Sequence, residues 1–252
     1  MLWDKFADSF HESYHGKVRP WIESEQCDKL YAFLKERSKM GHKICPISSL
    51  TWRIFKELPL GDIKVIIMGM DPYSQYTNGS PIADGISLSC SITGKLQPSL
   101  DSFYCGIENE LYEGMNLEYY KSPDLLYMVR QGVFLTNTAL TVENNKPGSH
   151  IAQWSDFQRY FFEEIVGYTQ IPVVFLGAEA AKNKRYITPF THSWGLKHPA
   201  FYARLNQCLD TEGVIGKVNS IIKQNNNYSI RWLCSEEEID EIMLVGGDEL
   251  PF

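Results

Sequence analysis

Three short runs of consecutive apolar residues punctuate the chain: Val65 to Met68, Val133 to Leu135 and Val173 to Leu176. Runs this short, unbroken by polar alternation, predict strands buried on both faces, as in a parallel sheet. Between them, apolar positions recur at helical spacing. Leu30, Tyr31, Phe33 and Leu34 predict a helix within Glu25 to Met40, and Phe157, Tyr160, Phe161 and Ile165 predict one over 156–168. Ser99 and Asp101 are candidate N-caps for a helix running to Tyr112, and Gly213 to Gln224 reads as the last helix. Residues 1–24 read as a leading arm or short helix. Ile44 to Leu60, with Pro46 and Pro59, reads as a connecting segment, and Tyr186 to Leu196 as a last strand-like stretch before Lys197-His198-Pro199. Strands alternating with helices predict an α/β fold, a mainly parallel sheet with helices on its faces.

Composition narrows this picture. The 252 residues suffice for one large domain, and the balance of 44% hydrophobic to 22% charged residues is that of a water-soluble globule. No apolar run approaches the roughly 18 residues of a membrane span, so no membrane partner is expected. The start, Met1-Leu-Trp-Asp-Lys-Phe-Ala-Asp8, is too acidic and interrupted for a signal peptide, which predicts a cytoplasmic or nuclear protein. Six cysteines lie far apart with no C-x-x-C pair, arguing against a metal site and, in a cytosolic chain, against disulfides. No metal and no cofactor are implied. A net charge of −7 looks wrong for a nucleic-acid binder. Yet Ser235 to Phe252 holds seven acids and no Lys or Arg, which leaves the rest neutral and free to carry one basic face.

The chemistry gathers where the apolar runs end. Asp71 follows Val65 to Gly69, Asn137 follows Gly132 to Thr136, and His198 follows the last strand-like segment. Ligands of open α/β sheets bind at the carboxyl ends of strands, so a carboxylate, an amide and an imidazole placed there form a candidate pocket.

These residues carry a resemblance to the uracil-DNA glycosylase family. Gly69-Met-Asp-Pro-Tyr-Ser74 resembles its GQDPYH motif, and Ala83-Asp-Gly-Ile-Ser-Leu-Ser89 the AHGLCFS that follows. Gln97-Pro-Ser-Leu100 is similar to the phosphate-pinching PPSL loop, and Leu135 to Val142 to LLNTVLTV. Gly148-Ser149-His150 with Trp154 fits the later SHxxxGW, and His198-Pro199 the HPSPLS loop. Ile215-Gly216, Asn219 and Ile230-Arg-Trp232 echo the closing FGxxNxxL…IxW. The similarity covers about residues 45–234 in the family's order. It divides the chain into an arm and helix (1–44), a catalytic domain (45–234) and an acidic tail (235–252), and implies a central four-stranded, mainly parallel sheet flanked by helices.

The resemblance also implies roles. Asp71 would stabilise the sugar cation and orient water, and His198 would hydrogen-bond the uracil O2 as it becomes anionic. Asn137 would read the uracil edge, and Tyr73 would exclude the methyl group of thymine. Met70 and Leu88 would complete the base pocket. Contacts to DNA would come from Pro98, Ser99, Gly177, Ala178, Pro199, Ala200, Phe201 and Tyr202, with Lys182, Lys184, Arg185 and Lys197 as candidate phosphate partners.

The departures are specific. Met70 replaces Gln and Ser74 replaces His, the same two places at which the poxvirus branch differs from the family motif. Leu88 replaces the Phe that stacks on uracil, a loss of about 1 kcal/mol of stacking, and Ala178 replaces a phosphate-contacting Ser. The segment His198 to Arg204 lacks the family's wedging Leu; Phe201 or Tyr202 would take its place. The expected activity is hydrolysis of the N-glycosidic bond of deoxyuridine in single- or double-stranded DNA. The alternatives are a glycosylase for another modified pyrimidine, or an inactive scaffold that binds DNA or replication proteins. A proteinaceous uracil-glycosylase inhibitor is a further candidate partner. The tip, Asp248-Glu-Leu-Pro-Phe252, resembles the end of bacterial single-stranded-DNA-binding proteins, which suggests docking to replication or repair proteins in the cytoplasm of a bacterial or phage-infected cell.

Overall fold

Apolar runs that must satisfy every backbone group without water pair with one another. In the computed structural model, which describes residues 3–115, 118–167 and 169–244, the three runs and the less buried stretch Ser193–Leu196 form one four-stranded sheet. Its strands are β1 (Val65–Gly69), β2 (Val133–Asn137), β3 (Val173–Leu176) and β4 (Ser193–Leu196), in the spatial order β2-β1-β3-β4 and all parallel. All residues of β1, β2 and β3 are buried, as unbroken apolar runs require. The register sets Gly69 beside Asn137 and Leu176 beside Leu196, so the carboxyl ends of all four strands lie along one edge. The order departs from β1 in both directions, and this reversal opens a crevice at that edge.

Helices cover the sheet. A cluster of rings, among them Trp52, Phe55, Phe134, Trp154, Phe157 and Phe161, packs largely edge to face, with centroids 5.0–6.3 Å apart. The first residues join the same cluster: Phe10 and Tyr14 pack on Phe55, and Trp21 on Phe157. The expected helix of 25–40 is Glu25–Lys39, capped by Ser24. That of 156–168 begins earlier, as Ile151–Tyr160, and continues as a wider π-helical turn to Val166; Tyr168 lies outside the described residues. The helix expected to start at Ser99 or Asp101 instead runs Pro98–Leu111, because proline is preorganised for the first turn. Ser99 then has a different partner, and Asp101 pairs with Lys121 at 2.7 Å.

Val214–Asn226 is not the last helix. Glu236–Leu244, in the acidic tail, packs on the Leu126–Arg130 helix and buries Ile242. The expectation of no disulfide is also overturned: Cys105 and Cys208 are bonded. Their 103-residue separation conceals a local pairing, since the Leu209 N–H donates to the Ser102 carbonyl and the Ser102 hydroxyl to that of Gln207. Cys27, Cys45, Cys90 and Cys234 are buried thiols. No helix among the described residues is long and apolar enough to cross a membrane.

Candidate active site

The crevice at the strand ends holds a cavity of about 470 Å³. Asp71 reaches it from the turn after β1, Asn137 from the last position of β2, and His198 from just beyond β4. Met70, Tyr73, Leu88, Ser99, Gly177, Ala178, Ala200 and Phe201 also line it. A Cβ at Gly69 would stand 2.5 Å from Asn137 Oδ1 and 3.1 Å from Ser87 Oγ, so a side chain there would push the Asn137 amide out of its place.

Each polar group has a defined state. Burial pushes the Asp71 carboxyl up to about 6, opposed by the Gly148 N–H that donates to its Oδ2. Burial, aided by the Arg204 guanidinium, holds His198 down to about 4, so the ring is neutral near pH 7. Its Nδ1 accepts the Ala200 N–H at 3.1 Å, which puts the ring proton on Nε2. The Ser87 hydroxyl donates to Asn137 Oδ1 at 2.9 Å, fixing the amide's orientation. Its Nδ2 has no protein partner among the described residues. The Tyr73 hydroxyl donates to the Leu88 carbonyl at 3.1 Å and shares a 2.9 Å hydrogen bond with Ser99 Oγ, which fixes the ring.

The chain matches the model of the uracil DNA glycosylase superfamily over residues 55–215. The uracil-DNA glycosylase of Borreliella burgdorferi is 32% identical over 220 residues, 86% of this chain and 95% of that protein. That of Campylobacter jejuni is 32% identical over 197 residues, 75% of this chain and 79% of its own length. The chain belongs to the uracil-DNA glycosylase family. Its fold matches the mimivirus uracil-DNA glycosylase with a TM-score of 0.77 at 23% identity, covering 91% of this chain and 92% of that one. A variant of the mimivirus protein has been solved in complex with UGI at the same TM-score, with 22% identity and 92% and 94% coverage.

Within this family member, not every residue singled out from sequence lines the cavity. Pro98 is exposed at the start of its helix, Pro199 is buried, and Tyr202 packs against the core with its ring 5.3 Å from that of Phe201. His198 to Arg204, read as a loop, contains the short helix Pro199–Ala203. Phe201 is 40% exposed at the cavity, with Lys197 Nζ 5.0 Å from its ring centre. The Gly177 N–H is spent on the Leu196 carbonyl at 2.7 Å, leaving only the amides beyond it. Lys182 pairs with Glu179, Arg185 lies over the Tyr186 ring, and Lys184 lines a separate depression with Ile187 and Trp194.

Four functional neighbours escaped the sequence reading. Ser87 and Gly148 lie within matched motifs, but only the hydrogen bonds made in the fold, to Asn137 and to Asp71, show what they do. Arg53 Nη1 lies 3.0 Å from Asp84 Oδ2, 31 residues along the chain, where no local pattern points to it. Asp84 is fully buried and also accepts from the Ile86 and Ser91 amides and the Ser89 and Ser91 hydroxyls. This cluster folds the loop that presents Leu88, whose φ of +65° is unusual for a branched side chain. Among the described residues, no three His, Cys, Asp or Glu side chains cluster so as to hold a metal ion.

Proposed function

We propose that this chain hydrolyses the N-glycosidic bond of deoxyuridine in DNA, without a cofactor, leaving an abasic site and free uracil. One observation carries the reading: a carboxylate, a neutral imidazole with an unspent Nε2–H and an oriented amide border one cavity of a size to take a flipped-out nucleoside. As the C1′–N1 bond breaks, its electron pair leaves with uracil and positive charge grows on the sugar. Asp71 stabilises that charge and orients the water that adds to C1′. His198 Nε2–H donates to uracil O2, where the negative charge gathers. Being neutral beforehand, it binds the transition state better than the ground state. The proton lost by water returns to the base through solvent.

Specificity follows from hydrogen bonding. Asn137 Oδ1 has a second lone pair for uracil N3–H, and Nδ2 donates to O4. Cytosine offers an acceptor and a donor in the opposite places. The fixed Tyr73 ring excludes a C5 methyl group. Met70 and Leu88 complete the wall of the base pocket. Phe201, exposed where Tyr202 is packed, is the wedge that fills the vacated base stack. Pro98 and Ala178, both exposed near the cavity, and Ala200 meet the DNA backbone, and Lys197 adds charge there. Ser99 holds Tyr73, and Gly177 and Pro199 shape the backbone between the contacts. The mimivirus complex supports UGI-type inhibition of this chain as well. The Asp248–Phe252 tip lies outside the described residues; its acids and terminal Leu-Pro-Phe support docking to replication or repair proteins.

The test uses oligonucleotides holding U, T, C or 5-hydroxymethyluracil, scored for abasic sites. Release of uracil alone is expected. Asp71→Asn is expected to bind uracil-DNA but excise it on the order of a hundredfold more slowly or worse. Release of 5-hydroxymethyluracil instead would favour the altered specificity that Leu88 motivates, and no release at all would favour a scaffold.

A further inference from the structure

The turn that touches Asp71 is organised around a second carboxylate. Glu143 closes the short strand Val142–Glu143, and its side chain is 4% exposed. A carboxylate so buried is costly unless it is paired and hydrogen-bonded. Arg37, from the Glu25–Lys39 helix, donates through Nε to Oε1, and Lys146 Nζ donates to Oε2 at 2.8 Å. His42 Nδ1 lies 3.5 Å from Oε2 and His150 Nε2 3.9 Å from Oε1. The backbone of Glu143 holds the same turn: its N–H donates to Ser149 Oγ at 2.9 Å, and its carbonyl accepts from Lys146 N–H at 3.0 Å. The Asn145 N–H reaches across to the Ser74 carbonyl at 2.9 Å, tying the turn to the segment that carries Asp71. At the far side of the turn Gly148, at φ +81°, donates to Asp71 Oδ2. That is the only hydrogen bond to Asp71 among the described residues.

We propose that Glu143, clamped by Arg37 and Lys146, is a positioning residue for Asp71, folding the 143–150 turn so that the Gly148 N–H holds the carboxylate ionised and aimed into the cavity. The proposal rests on the functional reading of Asp71 given above. Tyr73, Glu179, His198 and Arg204 share the cavity with Asp71, and Glu143, Lys146 and His150 stand on the side of the turn, with Arg37 and His42 behind them. Burial raises the Asp71 carboxyl, and the Gly148 amide is what counters it. Loosening the turn therefore raises it further, so excision is lost at a higher pH as the medium is acidified.

Single-turnover excision from a uracil-containing oligonucleotide is measured between pH 5 and 9 for the full chain and for Glu143→Gln and Arg37→Met. The acid limb of the unmodified protein is expected near pH 6. In both variants it moves up by roughly half a unit to one unit, with a several-fold loss at pH 6 that shrinks toward pH 8.5. Arg37→Lys, which keeps a cation, restores part of the shift. Folded variants with an unmoved acid limb, or with the same fractional loss at every pH, would overturn the clamp. Arg37 is only half-buried, so Arg37→Met carries the test should Glu143→Gln fail to fold. If the unmodified protein excises no uracil, or is indifferent to Asp71→Asn, the functional reading itself is overturned, a result distinct from an unmoved limb.

Discussion

At Asp71 two demands meet in one side chain. Work in the transition state needs the charged form, while burial at the cavity wall disfavours it and pushes the carboxyl up from 3.8 to about 6. The folded pKa is the higher one, so the folded state binds the proton more tightly. Stability that Asp71 retains in acid is lost as pH rises from about 4 through about 6, on the order of 3 kcal/mol when complete. Asp71→Asn keeps an acceptor for the Gly148 N–H and removes the charge. It is therefore expected to be more stable than the unmodified protein by about 1–3 kcal/mol at pH 8 and by little at pH 4. Urea unfolding at the two pH values checks this; equal stability at pH 8 would mean that Asp71 is not strained by burial. His198 works in the opposite sense over an overlapping window: its ring is held neutral down to about pH 4 in the fold but would take a proton below about 6.5 in the unfolded chain. It therefore lowers stability as the medium is acidified, equally in both proteins, and cancels in their difference.

Among the elements, the loop from Asp84 to Ser91 depends most on one group. It has little regular structure, and Asp84 supplies the acceptors that its amides and hydroxyls need. Arg53 balances the buried charge, and the Tyr73 hydroxyl pins the Leu88 carbonyl. Asp84→Ala leaves several buried donors without an acceptor and takes from Arg53 its nearer carboxylate, with Asp124 Oδ1 remaining 3.6 Å from Nη2, so a loss of about 3–5 kcal/mol is expected. Arg53→Ala/Asp84→Ala should cost less than the sum of the single changes. Denaturant titration of the three variants tests both statements, and additive losses would show that the two groups do not act together. The loop carried no periodic signal, because its structure comes from side-chain acceptors rather than from a repeating apolar face.

For the molecule as a whole, both ends of the chain matter to the core. Phe10, Tyr14 and Trp21 close one side of the aromatic cluster, and Ile242 anchors a helix of the acidic tail. Deleting Pro251-Phe252 is expected to leave excision and melting temperature unchanged while abolishing capture of replication or repair proteins that bind acidic Leu-Pro-Phe tips. Deleting Ser235 to Phe252 removes Ile242 as well and is expected to lower Tm by roughly 4–8 °C, the effect of about 2 kcal/mol in a chain of this size. Fluorescence anisotropy with a labelled Gly246–Phe252 peptide checks the first part and a thermal melt the second. Binding unchanged by the short deletion would sink the tail proposal.

The sequence by itself determined the strands, their burial on both faces, and the polar residues at their ends. Each of these depends on neighbours a few positions apart: an unbroken apolar run, a glycine, an Asp-Pro turn. It carried the family as well, because several short motifs recur in order. Only the tertiary structure decided which strand lies beside which, and hence that Gly69 meets Asn137. It also decided that Phe201 is exposed while Tyr202 is packed, that Cys105 bonds Cys208, and that Arg53 and Arg37 neutralise carboxylates far along the chain. The physical reason is common to all four. A side chain's burial, its charge partner and its protonation state depend on whatever the fold brings within a few ångströms, and residues 31 or 106 positions apart leave no periodic trace of that meeting.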